Sequence, residues 1–189
     1  LHFVPSVPDR IYATHGQRGL VSFRWDGSDE KAHVIVRGEA PVSGSGQGGT
    51  AQLIYMAPQG DLALAKTGMD LWVVTVPRVG GETPTVSVSS PSFPATRLTD
   101  DVGGEFPVWE ADGRHVRLSL GNAHFVYDLD RMEEVRDSIE AAEAAEADAA
   151  DEDEDEGDED EDAEDEDDDS GYEPAEYRID VEYQRDIPQ

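Results

Sequence analysis

The sequence predicts an all-β fold of antiparallel strands, and three observations carry that expectation. Short apolar and β-branched runs alternate with polar residues through residues 1–130, the period-two pattern of half-buried strands. Turn signals punctuate those runs at Asp26-Gly27, Pro58-Gln59-Gly60 and Asp112-Gly113. One segment also has a degraded copy upstream. It runs Arg97-Leu98-Thr99-Asp100-Asp101, then Gly104-Glu105-Phe106-Pro107-Val108-Trp109-Glu110-Ala111-Asp112-Gly113-Arg114.

The first unit is a hairpin. Leu20-Val21-Ser22-Phe23-Arg24-Trp25 places Val21, Phe23 and Trp25 on one face, Asp26-Gly27 turns the chain, and Ala32-His33-Val34-Ile35-Val36 returns. Asp-Gly suits a turn whose central residues need positive φ. Pro41 to Thr50 reads as a flexible Ser/Gly-rich connection. The second unit follows as Gln52-Leu53-Ile54-Tyr55-Met56, the turn Ala57 to Gly60, Leu62 to Ala65, and Leu71-Trp72-Val73-Val74-Thr75-Val76. Pro77 ends that strand because it cannot donate to a ladder. Residues 78–95, rich in Pro, Ser, Thr and Gly, read as a long surface loop.

The third unit repeats the second: Phe106 to Trp109, the turn Glu110 to Gly113, Val116 to Leu120, the turn Gly121-Asn122, and His124 to Leu129. Gly27, Gly60 and Gly113 mark the units, 33 and 53 residues apart. Units of this size are expected of propeller blades of about 40–50 residues with variable loops. The expected architecture is a partial β-propeller of two to three blades over residues 1–130.

From Arg131 the period changes. Met132, Val135 and Ile139 are spaced as on a helix face, and Ala142, Ala145 and Ala149 continue the stripe with less apolar area. A helix is expected over 131–150, fading into solvent. Residues 151–169 hold 17 acidic side chains, interrupted only by Gly157 and Ala163. Such a run cannot bury enough apolar surface to offset its ordering entropy, so 151–171 is expected to be a disordered acidic insert. Tyr177-Arg178-Ile179-Asp180-Val181-Glu182-Tyr183 alternates strictly and reads as one strand within a final unit, 172–189.

Charge is unevenly spread. Residues 1–133 hold 16 acidic and 11 basic side chains, and residues 134–189 hold 28 and 3. The overall −30 therefore describes the tail rather than the whole surface. An acidic chain repels phosphates, which argues against nucleic acid as a partner and toward a basic protein or divalent cations at the acidic run. There are no cysteines, so neither disulfides nor thiolate metal sites arise. No apolar run is long enough to span a membrane. The first residue is Leu1, and the chain is expected to start within a longer protein. A periplasmic or secreted location is the favoured expectation.

The third unit resembles the TolB-like propeller repeat, shared with tricorn-type propellers, whose blades carry Leu-Thr, a spacer, then Pro-x-Trp-Ser-Pro-Asp-Gly. Leu98-Thr99, Pro107, Trp109, Asp112 and Gly113 match it, while Glu110 and Ala111 depart from it. A longer stretch resembles the propeller-to-barrel junction of amidohydrolases of the imidazolonepropionase-like kind. It is carried by Gly104 to Trp109, Ser119-Leu120-Gly121-Asn122, Phe125 to Asp130, Arg178 to Glu182 and Arg185-Asp186-Ile187-Pro188. That resemblance implies a catalytic domain after Gln189, missing from this chain, with a zinc-type divalent metal, and 172–189 as the strand leading into it. The partners it implies are that domain and the remaining blades. The acidic insert departs from the family pattern.

No residue here is expected to be catalytic, cofactor-binding or metal-ligating. The amidohydrolase metal site opens with His-x-His, and His2, His15, His33, His115 and His124 do not form that pair. They read as packed or solvated strand histidines. Asp26-Gly27 and Asp112-Gly113 read as turn geometry rather than ligand-facing carboxylates. Of Trp25, Trp72 and Trp109, at least two read as packing anchors between blades. An EF-hand starting at Glu152 fails at its twelfth position, Ala163. Two functions follow. The first is a non-catalytic propeller segment of a metal-dependent amidohydrolase acting on amide or cyclic amide C–N bonds. The second is a TolB-like protein-binding module of the cell envelope with an acidic partner-recruiting tail.

Overall fold

A computed structural model describes residues 1–39, 48–99, 103–151 and 171–179. The strands are β1 (His2–Phe3), β2 (Arg10–His15), β3 (Gly19–Arg24), β4 (Lys31–Arg37), β5 (Leu53–Met56), β6 (Leu62–Thr67), β7 (Asp70–Thr75), β8 (Thr85–Ser87), β9 (Ala95–Arg97), β10 (Glu105–Trp109), β11 (His115–Leu120), β12 (Ala123–Asp128) and β13 (Ala175–Arg178). Among the described residues there is one α-helix, α1, from Leu129 to Asp151. The fold is all-β in its body, as the alternating pattern requires.

The strands form three sheets in chain order: β1-β2-β3-β4-β8, β5-β6-β7-β9 and β10-β11-β12-β13. Each is an antiparallel meander of four strands, and the first gains β8 in parallel beside β4. The second strands begin at residues 10, 62 and 115, which are 52 and 53 residues apart. The first strands begin at 2, 53 and 105, 51 and 52 apart. The repeat is therefore more regular than the glycine spacing suggests. Gly60 and Gly113 lie in the turn between first and second strands, but Gly27 lies between the third and fourth. The equivalent turn of the first unit is the Val4 to Asp9 segment, which carries Pro5 and Pro8 and no glycine.

Side chains alternate between two seams. Tyr12, Leu20, Val34 and Val36 of the first sheet pack against Ile54, Ala63, Ala65, Trp72 and Val74 of the second. Leu64, Leu71 and Val73 on the other side of the second sheet pack against Val116, Leu118 and Tyr127 of the third. Trp109 and Trp72 serve these seams, while Trp25 is 63% exposed and stacks on Phe3 at 5.2 Å. The Trp109 indole N–H donates across the second seam to the Tyr55 carbonyl at 3.0 Å.

Where the sheets differ is the connection from third to fourth strand. It is residues 25–30 in the first sheet, 76–94 in the second and 129–174 in the third. The loop expected over 78–95 contains β8, a correction with a simple cause. Val86 and Val88 alternate with Thr85 and Ser87 and are buried in the first seam, a two-residue period hidden by the polar composition around it. β8 also covers the edge of β4, which would otherwise expose unpaired backbone.

In the third sheet the same connection holds α1. The Asp128 carboxylate accepts the N–H groups of Asp130 and Arg131, both at 3.1 Å, and so caps the helix start. Met132 is buried in the second seam, Val135 and Ile139 are half-buried, and Ala142 and Ala145 are exposed. The apolar stripe fades as its residue sizes require. Beyond the connection β13 pairs with β12, from Val126↔Ala175 to Ala123↔Arg178. It is thus the fourth strand of the third sheet. The acidic run 152–170, the connection 40–47, Asp100-Asp101 and everything from Asp180 onward lie outside the described residues.

Candidate functional site

The first strands β1, β5 and β10 converge on a cavity of about 670 Å³. Its walls are mainly apolar, from Phe3, Tyr55, Phe106, Val108 and Trp109, and its polar side is Lys66 with Glu105. Lys66 Nζ lies 2.7 Å from the Glu105 carboxylate, so each charge answers the other. Phe106 sits at φ +54°, in the region a bulky side chain rarely enters, where the β10–β11 register shifts between Glu105 and Val108. Pro107 supplies no N–H for the ladder at that point, which favours such an irregularity. The result leaves Phe106 79% exposed. This cavity can hold apolar surface beside the Lys66–Glu105 ion pair.

A second cluster lies on β2, β3 and β4. The Arg10 guanidinium is buried, and its Nε donates to Ser22 Oγ at 2.9 Å while Nη1 reaches Asp29 at 2.7 Å. Ser22 Oγ lies 2.7 Å from His33 Nε2. Burial holds His33 down to about 4, helped by the positive charges of Arg10 and Lys31. A neutral His33 in its Nδ1–H tautomer can accept a hydrogen bond from the Ser22 hydroxyl at Nε2. Ser22 is fully buried and acts as a packed polar tie, while His33 is half-buried and lines a cavity of about 520 Å³. His2 is likewise held near 4, mainly by burial. Its Nε2 accepts the Met56 N–H at 2.9 Å, and its ring packs against Tyr12 and Tyr55.

The third cluster is on the surface of the third sheet. Asp112 Oδ1 accepts the N–H groups of Arg114 and His115 at 2.9 and 3.1 Å, which hold its carboxyl down to about 2. His115 Nδ1 lies 2.6 Å from Asp112 and its Nε2 3.6 Å from Asp128. The Asp112 hydrogen bond raises the His115 pKa. Asp112 is thus a turn cap, as is Asp26, whose Oδ1 accepts the Ser28 N–H at 3.0 Å. Within the two Asp-Gly pairs it is Gly27 and Gly113 that take positive φ, at 80° and 66°, and not Asp26 or Asp112. The expectation that both turn residues need it is corrected: the aspartates serve through their side chains instead.

The histidines thus lie apart: His2 and His33 in the first seam, His115 at a turn, His15 exposed, and His124 near Ser119 at 3.4 Å. Among the described residues no three metal-ligating side chains converge. The Arg10–Ser22–His33 tie was not visible in sequence, because its members come from three strands and their approach depends on the β3–β4 bulge between Leu20 and Val21. Among the described residues no helix is long and apolar enough to cross a membrane. No family model matches the chain, and no curated protein matches it either.

Proposed function

We propose that this chain is a three-sheet arc of a β-propeller and serves as a non-catalytic scaffold in a metal-dependent amidohydrolase. The observation that carries the arc is the recurrence of a four-stranded antiparallel meander every 51 to 53 residues, each sheet stacked face to face on the next. Four-stranded blades arranged in series are the propeller plan. The assignment to an amidohydrolase rests on the resemblance of Gly104 to Trp109, Phe125 to Asp130 and Arg178 to Glu182. In that reading the parent hydrolyses an amide or cyclic amide C–N bond with metal-activated water. The zinc-type ion and its ligands belong to a domain outside these residues. The propeller shapes access to that domain or docks other proteins.

The test is direct. The 189-residue chain, supplied with zinc, should turn over no amide or cyclic amide, whereas the longer product of its gene should. The reading frame past Gln189 should encode His-x-His at the end of an early strand. A stop codon or an unrelated domain there would sink the assignment to an amidohydrolase.

A further inference from the structure

The cavity where β1, β5 and β10 converge combines two features that together select a ligand. Its apolar side chains are partly left open: Phe3, Phe106 and Val108 are 59%, 79% and 57% exposed. Single exposed apolar residues need no explanation, but several around one cavity of about 670 Å³ mark a binding surface. Tyr55 and Trp109 add half-buried aromatic surface to the same wall. The Trp109 indole N–H is taken by the Tyr55 carbonyl, so the ring has no polar group left for an occupant. Phe106 holds φ +54°, a conformation that a side chain of this size keeps only where its surroundings impose it.

The second feature is an unequal ion pair. Lys66 Nζ lies 2.7 Å from the Glu105 carboxylate and 3.4 Å from the Gly104 carbonyl. The lysine side chain is 18% exposed and the glutamate 59%, so the two differ in what it costs to part them. A cationic ligand that took Glu105 would leave the Lys66 ammonium mostly enclosed without a counter-ion, which is costly. An anionic ligand that took Lys66 would release Glu105 to water at small cost. The other titratable side chains of the wall do not compete for the lysine. Glu110 is paired with Arg117, and His2 is a neutral ring whose Nε2 accepts the Met56 N–H.

We propose that this cavity is a binding site for a small carboxylate with an aromatic or branched apolar body. The ligand carboxylate pairs with Lys66 in place of Glu105, and the body packs on Phe3, Phe106, Val108 and Trp109. Glu105 is a built-in occupant, neutralising Lys66 until the ligand displaces it into water. The site uses only residues of the three described sheets, so it does not depend on an amidohydrolase domain.

Phenylpropanoate is the probe, with phenylpropanamide and phenylpropylamine as its neutral and cationic counterparts. The full 189-residue chain is acetylated at Leu1, so that the terminal amine takes no part. Titration calorimetry should register the acid. The amide should bind more weakly by about tenfold or more, the worth of one charge-assisted hydrogen bond, and the amine should not bind. Lys66→Met keeps the apolar stem and should lose the preference for acid over amide. Glu105→Gln removes the competing carboxylate, so the acid should bind about two- to fivefold more tightly while the amide is unchanged. Arg78→Met, the same loss of charge away from this cavity, should alter neither. No binding of the acid, equal binding of acid and amide, or a preference for the amine would overturn the proposal. Each variant is checked by urea unfolding. Should Lys66→Met fail to unfold cooperatively, Glu105→Gln still decides: an unchanged affinity for the acid in that variant would overturn the displacement of Glu105 and with it the site.

Discussion

The first and third sheets share a strand order and almost nothing of their polar chemistry. The first has a buried polar cluster besides its exposed ion pairs such as Arg18–Glu30: Arg10 and Ser22 are enclosed, and His2 and His33 are held neutral by burial. The third keeps its polar groups on the outside, in the pairs Glu110–Arg117, Asp112–His115 and Arg131–Glu134. Backbone alternation fixes the repeat, while the seam each sheet faces decides what its side chains can be. A buried polar tie makes the first sheet sensitive to losing a partner. Exposed pairs leave the third dependent on its apolar rear.

The largest effects should come from the seams. Leu20 and Leu64 are both fully buried, one in each seam. Truncating either to alanine should cost about 2–5 kcal/mol, the lost transfer energy plus a cavity term, read by urea unfolding. A cost below about 1 kcal/mol for Leu64→Ala would mean the third sheet does not depend on the second seam. Next comes Arg10→Ala. It leaves the Ser22 hydroxyl and carbonyl without their buried donor, and should cost about 1–3 kcal/mol. Glu110→Ala, which removes an exposed pair from the third sheet, should stay within about 0.5 kcal/mol. Equal costs for the two would erase the contrast between the sheets.

Much of the strand and helix pattern was legible from the residues alone, while the contrast in polar chemistry was not, for identifiable reasons. Period-two patterning located most strands, and the spacing of Met132, Val135 and Ile139 located α1. The same reading overlooked β8, where two valines sit in a Ser/Thr/Pro background. It also matched Gly27 to the wrong turn, because the equivalent first-unit turn is built with Pro5 and Pro8 and no glycine. The pairing of β13 with β12 spans some 46 residues of connection, and no local pattern specifies a partner at that range. The first-seam tie was hidden for the same reason, since Ser22 and His33 meet only through sheet register.

A smaller effect tests how the second seam is pinned. Trp109→Phe keeps most of the apolar area and removes the indole N–H that reaches the Tyr55 carbonyl. A single neutral hydrogen bond of this kind contributes about 1 kcal/mol, with the carbonyl of Tyr55 left to find water. The thermal midpoint should drop by a few degrees, about 4–8 °C per kcal/mol for a body of this size at most. No change would mean that packing alone holds the second and third sheets together.

The smallest effect has the most informative sign. His33 is held near 4 when folded, below its usual value near 6.5. Between those values the unfolded chain binds a proton that the folded chain refuses, so stability falls as pH drops from about 6.5 toward 4. His115 behaves oppositely. Its pKa is raised by Asp112, so its contribution is present below about 6.5 and is lost as pH rises through the raised value. Solvent screening keeps the His33 effect to about 0.5–1 kcal/mol. Nuclear magnetic resonance titration should place His33 below and His115 above the free imidazole. His33→Gln should flatten the acid limb of the stability curve, because glutamine can still take the Ser22 hydrogen bond and does not titrate. If His33 and His115 titrate together near 6.5, the buried and exposed polar schemes of the two sheets are one and the same.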